Sequence, residues 1–224
     1  MSIQSHCDSP CSTTVSPRLT AVGLACRRDN KLLFKDLDLS VGAGEILWVR
    51  GHNGSGKTSL LKLAAGLSLP ETGQISWGGV PVRQADSFRR QLIYVAHSNA
   101  LKEDLTVSEA LTFLLRIHDR PSDNLTVHAA LEAWDLQSRH HAMVRTLSQG
   151  QRRRVTLARL TADDRPSLWI LDEPFDALDT DGVARLCDTL RKHASCGGTT
   201  LLTSHQAVDI GMLRPKEINL DRYC

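Results

Sequence analysis

Two short segments of this 224-residue chain carry side chains at spacings that suit phosphate chemistry. The first, Gly51-His52-Asn53-Gly54-Ser55-Gly56-Lys57-Thr58, fits the pattern G-x-x-x-x-G-K-[ST]. Glycines let successive backbone N–H groups wrap an oxyanion at a helix start, where the macrodipole already favours negative charge. In that arrangement Lys57 reaches the β- and γ-phosphates of a nucleotide, and Thr58 offers a hydroxyl to Mg²⁺, which takes hard oxygen ligands. The second segment, Leu168-Trp169-Ile170-Leu171-Asp172-Glu173-Pro174, is an apolar run that ends in adjacent carboxylates. Asp172 is the candidate metal-site residue, directly or through a water. Glu173 is the candidate base that orients and deprotonates an attacking water. Read alone, the first segment is also a glycine-rich turn and the second a polar turn after a buried strand.

A third segment, Leu147-Ser148-Gln149-Gly150-Gln151, precedes Arg152, Arg153 and Arg154 and a helical pattern through Val155, Ala158 and Ala162. Ser148 and Gln151 have the spacing of a capping box, so the helix start with its Gly150 N–H is a second candidate anion site. By itself this is an ordinary capped helix with a solvated arginine face.

These residues need elements to hold them. Glu45 to Arg50 contains Ile46, Leu47, Trp48 and Val49, entered from Gly42 and Gly44 and left at Gly51, as expected of a buried strand. Thr58 to Ala65 then reads as a helix ending at Gly66 with Pro70 beyond. The phosphate-loop pattern thus stands between strand and helix, the context it requires. Alternating strand and helix signals predict an α/β domain around a largely parallel sheet buried on both faces. From Phe88 to Thr161 helix dominates, including Thr106 to His118 with a capping box at Thr106 and Glu109.

Composition bounds the rest. With 41% hydrophobic and 23% charged residues, the chain suits one ordinary core. Twenty-seven basic against 25 acidic residues gives a formal +2, which predicts no nucleic-acid partner held by phosphate electrostatics. No apolar run approaches the roughly 20 residues of a bilayer span. Six cysteines without a C-x-x-C pair or a secretory signal suggest reduced thiols. Residues 1–17, rich in Ser, Thr, Cys and Pro, are expected to form a disordered extension before a single domain over 18–224. His6, Cys7 and Cys11 there fall short of the four ligands of a closed zinc site.

With these motifs in chain order, the sequence resembles the ATP-binding cassette family from Leu19 onward: LSQGQ as its signature, Ala177-Leu178-Asp179 as its D-loop, and His205, after Thr199 to Thr203, as its switch histidine. The resemblance implies a P-loop NTPase of cassette type with a helical subdomain near residues 88–161. In that family two chains face head to tail, so ATP lies between one chain's phosphate loop and the other's signature. The site residues so implied are Gly51, His52, Asn53, Gly54, Ser55, Gly56, Lys57, Thr58 and Ser59 for phosphate and Thr58 and Asp172 for Mg²⁺. Glu173, His205 and Lys57 carry catalysis, and Ser148, Gly150, Gln151 and Asp179 act across a homodimer seam.

Leu24 to Asp29 with Leu33-Phe34, Tyr94 to His97, and Leu168 to Asp179 are similar to the ATP-binding subunits of bacterial cytochrome c maturation haem exporters. That likeness implies ATP hydrolysis on the cytoplasmic side of the inner membrane, with separate integral membrane subunits as partners, docked near His97 to Glu109. An exporter ATPase for another cargo, such as a lipid or lipoprotein, has the same parts. A soluble cassette protein of DNA repair or translation lacks its usual coiled-coil arm or second cassette here, and the signature argues against a phosphate-loop kinase.

Three positions depart from the general cassette. Arg28 stands where an aromatic commonly stacks on adenine, and its guanidinium is able to stack instead. His97 replaces the usual Q-loop glutamine. Asp176 replaces the commoner Ser or Thr before Ala177.

Overall fold

Trp48 and Leu47 are neighbours in sequence and lie in different cores. The computed structural model describes residues 18–162, 165–205 and 213–224, and within it Ile46–Arg50 forms strand β3. Leu47 and Val49 of β3 join one apolar cluster, whereas Ile46 and Trp48 join another on the opposite face. The same alternation holds in β7 (Leu168–Leu171), where Leu168 and Ile170 face one side and Trp169 and Leu171 the other. This is the period-2 geometry of a sheet covered on both faces, as the apolar runs predict.

That sheet is parallel and five-stranded. Its order is β6 (Leu92–Val95), β7, β8 (Thr199–Thr203), β3 and β9 (Lys216–Asn219). Val95 pairs with Leu171, Leu171 with Leu202, and Thr203 with Val49, so four strands end level at one edge. In a parallel sheet every carboxyl end lies at the same edge, where ligands of open α/β sheets bind. The loops leaving those ends begin the candidate site: His97 after β6, Asp172 and Glu173 after β7, His205 after β8, and Gly51 after β3.

On one face lie helix α1 (Lys57–Ala64) and a second sheet, absent from the sequence-based expectation of one largely parallel sheet. It is four-stranded and antiparallel, ordered β2 (Lys31–Val41), β1 (Leu19–Arg28), β4 (Thr72–Trp77) and β5 (Val80–Pro81). β1 and β2 form a hairpin across Asp29-Asn30, with Asp29 at φ 52°. Register shifts near Gly23 and Cys26 interrupt the alternation that would have announced it. Leu24, Phe34 and Leu37 of this sheet share a core with Leu60, Leu61 and Leu63 of α1.

The other face carries helices α3 (Val107–Arg116), α4 (Asn124–Ala133), α5 (Gln149–Ala158) and α6 (Thr180–Ser195), whereas short α2 (Asp86–Gln91), which leads into β6, places Phe88 in the core of the first face. Val107, Leu111, Leu115, Val127, Leu131, Trp134, Val155 and Ala158 pack together there. Each fully buried Leu or Val contributes about 1.5–3 kcal/mol relative to exposure. Residues 1–17, with the His6, Cys7 and Cys11 cluster, lie outside the described residues.

Candidate active site

The phosphate loop owes its shape to two features of its sequence. Gly54 and Gly56 sit at φ 86° and 99°, a region L side chains rarely adopt. A Cβ on Gly56 would also lie 3.1 Å from Leu33 Cβ and Phe34 Cδ1, so glycine lets β2 close onto the loop. Lys57 is buried at 7% exposure, and its Nζ donates to the Gly51 carbonyl at 2.8 Å and the His52 carbonyl at 3.0 Å. Burial pushes the Lys57 ammonium down from its usual range, while Glu173, Asp221 and Asp172 pull it back up. Gly56 ends the loop as the N-cap of α1 without a side-chain cap, leaving the first-turn amides for a ligand.

Facing Lys57 are the carboxylates at the end of β7. Asp172 and Glu173 are 2% and 4% exposed. Thr203 at the end of β8 ties them together: its hydroxyl donates to Asp172 Oδ1 at 2.9 Å and accepts the Glu173 N–H at 2.9 Å. Glu173 Oε2 accepts the His205 backbone N–H at 2.8 Å, and Oε1 lies 3.2 Å from His205 Nε2. Burial pushes the Glu173 carboxyl above its ordinary value; the His205 N–H and ring oppose this, and Asp176 and Asp172 reinforce it. A raised carboxyl beside a half-exposed histidine suits proton transfer to or from water. Thr58 and Asp172 supply a hydroxyl and a buried carboxylate, hard oxygens of the kind Mg²⁺ takes.

The resulting cleft, about 530 Å³, is lined by Asn53, Gly54, Gly56, Lys57, Thr58 and Ser59 of the phosphate loop and α1. His97, Asp172, Glu173 and His205 close it from the sheet edge, and Arg28, Lys31 and Leu33 come from the antiparallel sheet. Arg28 is therefore at the cleft wall. Gly51, His52 and Ser55 belong to the loop without lining the cleft. Ser55 Oγ is buried and unpartnered, pressed against Gly51, where an added Cβ would stand 2.5 Å from it.

The signature residues are not brought to this cleft. Ser148 Oγ accepts the Gln151 N–H at 3.2 Å and Gln151 Oε1 accepts the Ser148 N–H at 3.0 Å, the expected capping box. Gly150 is fixed by its neighbour: a Cβ there would lie 2.8 Å from the Ala177 carbonyl oxygen. Asp179 caps α6 by accepting from Gly182 N at 3.0 Å, and both its carboxylate oxygens lie 2.6 Å from Arg154 Nη2. Ser148, Gly150, Gln151 and Asp179 thus form one surface apart from the phosphate loop. The expected solvated arginine face is corrected in part: Arg153 is buried at 2% exposure, while Arg152 pairs with Glu103 at 2.9 Å. Its aliphatic stem lets Arg153 pack inside, and backbone carbonyls satisfy its donors.

Two departures from the general cassette meet. His97 Nε2 lies 3.4 Å from Asp176 Oδ2 across the cleft mouth. Sequence reasoning missed Asp221, whose Oδ1 accepts the His52 N–H at 3.1 Å and approaches His52 Nδ1 at 2.7 Å, bracing the phosphate loop from outside. Nothing in the sequence pointed to a contact between residues so far apart. Thr203 was within reach, since it stands two residues before His205 at the end of the same strand.

A family model described as ABC transporter matches residues 34–176. The cytochrome c biogenesis ATP-binding export protein CcmA of Pseudomonas putida KT2440 is 46% identical over 206 residues, covering 92% of this chain and 97% of that protein. The protein of the same name from Albidiferax ferrireducens is 42% identical over 205 residues, covering 91% and 97%. Among solved structures, a putative ABC transporter ATP-binding protein from Pyrococcus furiosus superposes with a TM-score of 0.79 at 22% identity, covering 92% of this chain and 98% of that one. An ATP-binding cassette captured as a dimer in a post-hydrolysis state with ADP and Pi gives 0.76 at 22% identity, covering 90% and 93%. At that identity the two structures bear on the fold alone.

Proposed function

This chain belongs to the ABC transporter family as an ATP-hydrolysing subunit, and from that premise we propose that it drives haem export for c-type cytochrome biogenesis. The observation that carries the reading is identity of 42–46% to proteins named cytochrome c biogenesis ATP-binding export proteins, along 97% of their length. The proposed place of work is the cytoplasmic side of the inner membrane, on integral membrane subunits of the exporter. No helix among the described residues is long and apolar enough to cross a bilayer, so the membrane path falls to those partners.

In the proposed cycle two chains close head to tail on two ATP molecules. Lys57 and the first amides of α1 hold the phosphates of one nucleotide. Ser148 and Gly150 of the second chain complete that site from the other side. Glu173 accepts a proton from the attacking water while His205, held by the Glu173 carboxylate, faces the terminal phosphate. Thr58 and Asp172 would hold Mg²⁺, which supplies charge neutralisation on the phosphates when bound. Arg28, Lys31 and Leu33 form the wall left for the base.

The test has two parts. Glu173→Gln is expected to keep ATP binding and lower turnover by at least a hundredfold, as loss of a catalytic base does; unchanged turnover rejects the assignment of Glu173. In a strain lacking its own cytochrome c biogenesis ATPase, the native chain with its membrane subunits is expected to restore haem-stained c-type cytochromes, and Glu173→Gln to leave them absent. Active ATPase without restoration would assign the chain to another cargo.

A further inference from the structure

We infer that Arg153 is a positioning residue for Glu173, joining the end of β7 to the loop after β6 through one buried guanidinium. The assignment rests on Glu173 being the base. Arg153 stands in α5, directly behind the carboxylates, and never enters the cleft. Its Nε donates to the Pro174 carbonyl at 3.3 Å, and its Nη2 donates to the carbonyls of Asp172, at 3.0 Å, and Glu173. Three successive carbonyls therefore converge on one cation.

The backbone explains why such a cation is needed. Glu173 sits at φ 49°, a left-handed conformation that costs an L residue energy and persists only when its surroundings impose it. Turning residue 173 this way aims the carbonyls of 172, 173 and 174 to the same side, into a buried space where each needs a donor. A planar guanidinium with five donors in a fixed fork meets several acceptors at once, which an ammonium cannot match. From the other side Thr203 takes the Glu173 N–H and His205 donates to its carboxylate. Residue 173 is thus gripped at amide, carbonyl and side chain.

The remaining nitrogen of the fork reaches elsewhere. Arg153 Nη1 donates to the Ala96 carbonyl at 3.1 Å and to Asn99 Oδ1 at 3.3 Å, and Thr156, about one turn on in α5, donates to the Asn99 carbonyl at 3.2 Å. Residues 96–99 form the loop that carries His97 to the cleft mouth. A displacement of this loop therefore reaches the Glu173 backbone through Arg153 without passing through nucleotide. The exposed His97–Asp176 pair at 3.4 Å is a second, weaker link between the same two loops.

The test uses the intact chain, with Arg153→Lys alone and combined with Glu173→Gln. Thermal melting and far-UV circular dichroism check folding, a fluorescent ATP analogue reports affinity, and single-turnover assays report cleavage. Arg153→Lys is expected to bind the analogue within twofold of the unaltered chain and to cleave ATP at least tenfold more slowly. Because Arg153 acts through Glu173, the double variant is expected to fall within twofold of Glu173→Gln alone. Cleavage by Arg153→Lys within twofold of the unaltered chain, or losses that multiply in the double variant, overturns the inference. Should the lysine variant not fold, Asn99→Ala carries the test, with about a threefold loss of cleavage, unchanged affinity and the same non-additivity expected; additive loss or none overturns it. A fully active Glu173→Gln removes both this inference and the reading on which it stands, whereas an inactive one beside a fully active Arg153→Lys removes this inference alone.

Discussion

The starts of α1 and α5 look alike in sequence, each with a glycine at the N-cap or in the first turn of the helix, yet they are built oppositely. Gly56, the N-cap of α1, has no side chain to offer, and the basic group of that turn, Lys57, is folded back on the carbonyls of Gly51 and His52. Ser148, the N-cap of α5, closes a capping box with Gln151 that uses two of the four amides a helix start leaves free. The first turn depends on a ligand for completion. The second is already half satisfied, and only its Gln149 and Gly150 amides are left by the box. A site assembled from one start of each kind has a phosphate clamp on one side and a pre-shaped lid on the other.

Removing the cation from the first start is the most severe way to break this contrast. Lys57→Ala takes away the cation proposed to hold the phosphates and leaves the carbonyls of Gly51 and His52 without their partner. By analogy with other anion-stabilising donors the loss is about 3 kcal/mol in transition-state stabilisation, roughly a hundredfold in kcat/KM. Steady-state kinetics checks this, and normal turnover in the variant would mean that the α1 amides alone suffice.

A smaller loss is expected at the second start. Gly150→Ala sets a methyl group 2.8 Å from the Ala177 carbonyl oxygen, and backbone on one side or the other must shift. Because Gly150 lies apart from the cleft of its own chain, nucleotide affinity of the isolated chain should stay within twofold while ATPase falls about tenfold. A drop in affinity of the isolated chain would show that the signature turn supports the phosphate loop directly and would erase the distinction drawn here.

How far the sequence foretold this arrangement follows from the range of each interaction. The phosphate loop, both capping boxes and the Asp172-Glu173 strand end were legible because each is a local pattern in which residues one to eight positions apart answer to one another. The parallel sheet was legible from continuous apolar runs such as Ile46 to Val49. The β1–β2 hairpin was not, because shifts at Gly23 and Cys26 break its alternation. Nor was the burial of Arg153, since three arginines in a row read as a solvated face unless the carbonyls of Asp172, Glu173 and Pro174 are known to converge on one of them. The pairing of His97 with Asp176 was equally hidden: each stood out as a departure, and only the adjacency of β6 and β7 shows that they face each other.

The finest test of the contrast compares two capping boxes, one beside the proposed seam and one remote from it. α3 begins with Thr106 and Glu109 in the same reciprocal arrangement as Ser148 and Gln151. Ser148→Ala should cost about 1 kcal/mol of stability, the usual value of an N-cap, and also slow ATPase; Thr106→Ala should lower stability while leaving ATPase unchanged. The two boxes also differ in charge. The Thr106 N–H and hydroxyl hold the Glu109 carboxyl below its ordinary value, whereas Gln151 does not titrate. With its folded value the lower one, Glu109 contributes fully above the ordinary carboxylate value, and the contribution is lost as pH falls through the folded value. The melting difference between Thr106→Ala and the unaltered chain should therefore shrink from pH 6 to pH 3, while that of Ser148→Ala stays constant. Each difference is read against the unaltered chain at the same pH, because that chain itself weakens on acidification. Burial pushes His118 and His193 down to about 4, so the unfolded chain takes up protons first and stability falls from about pH 6.5 towards 4. Parallel pH dependence in the two variants would mean that the Glu109 carboxylate adds nothing to its box, and the two helix starts would then differ in position alone.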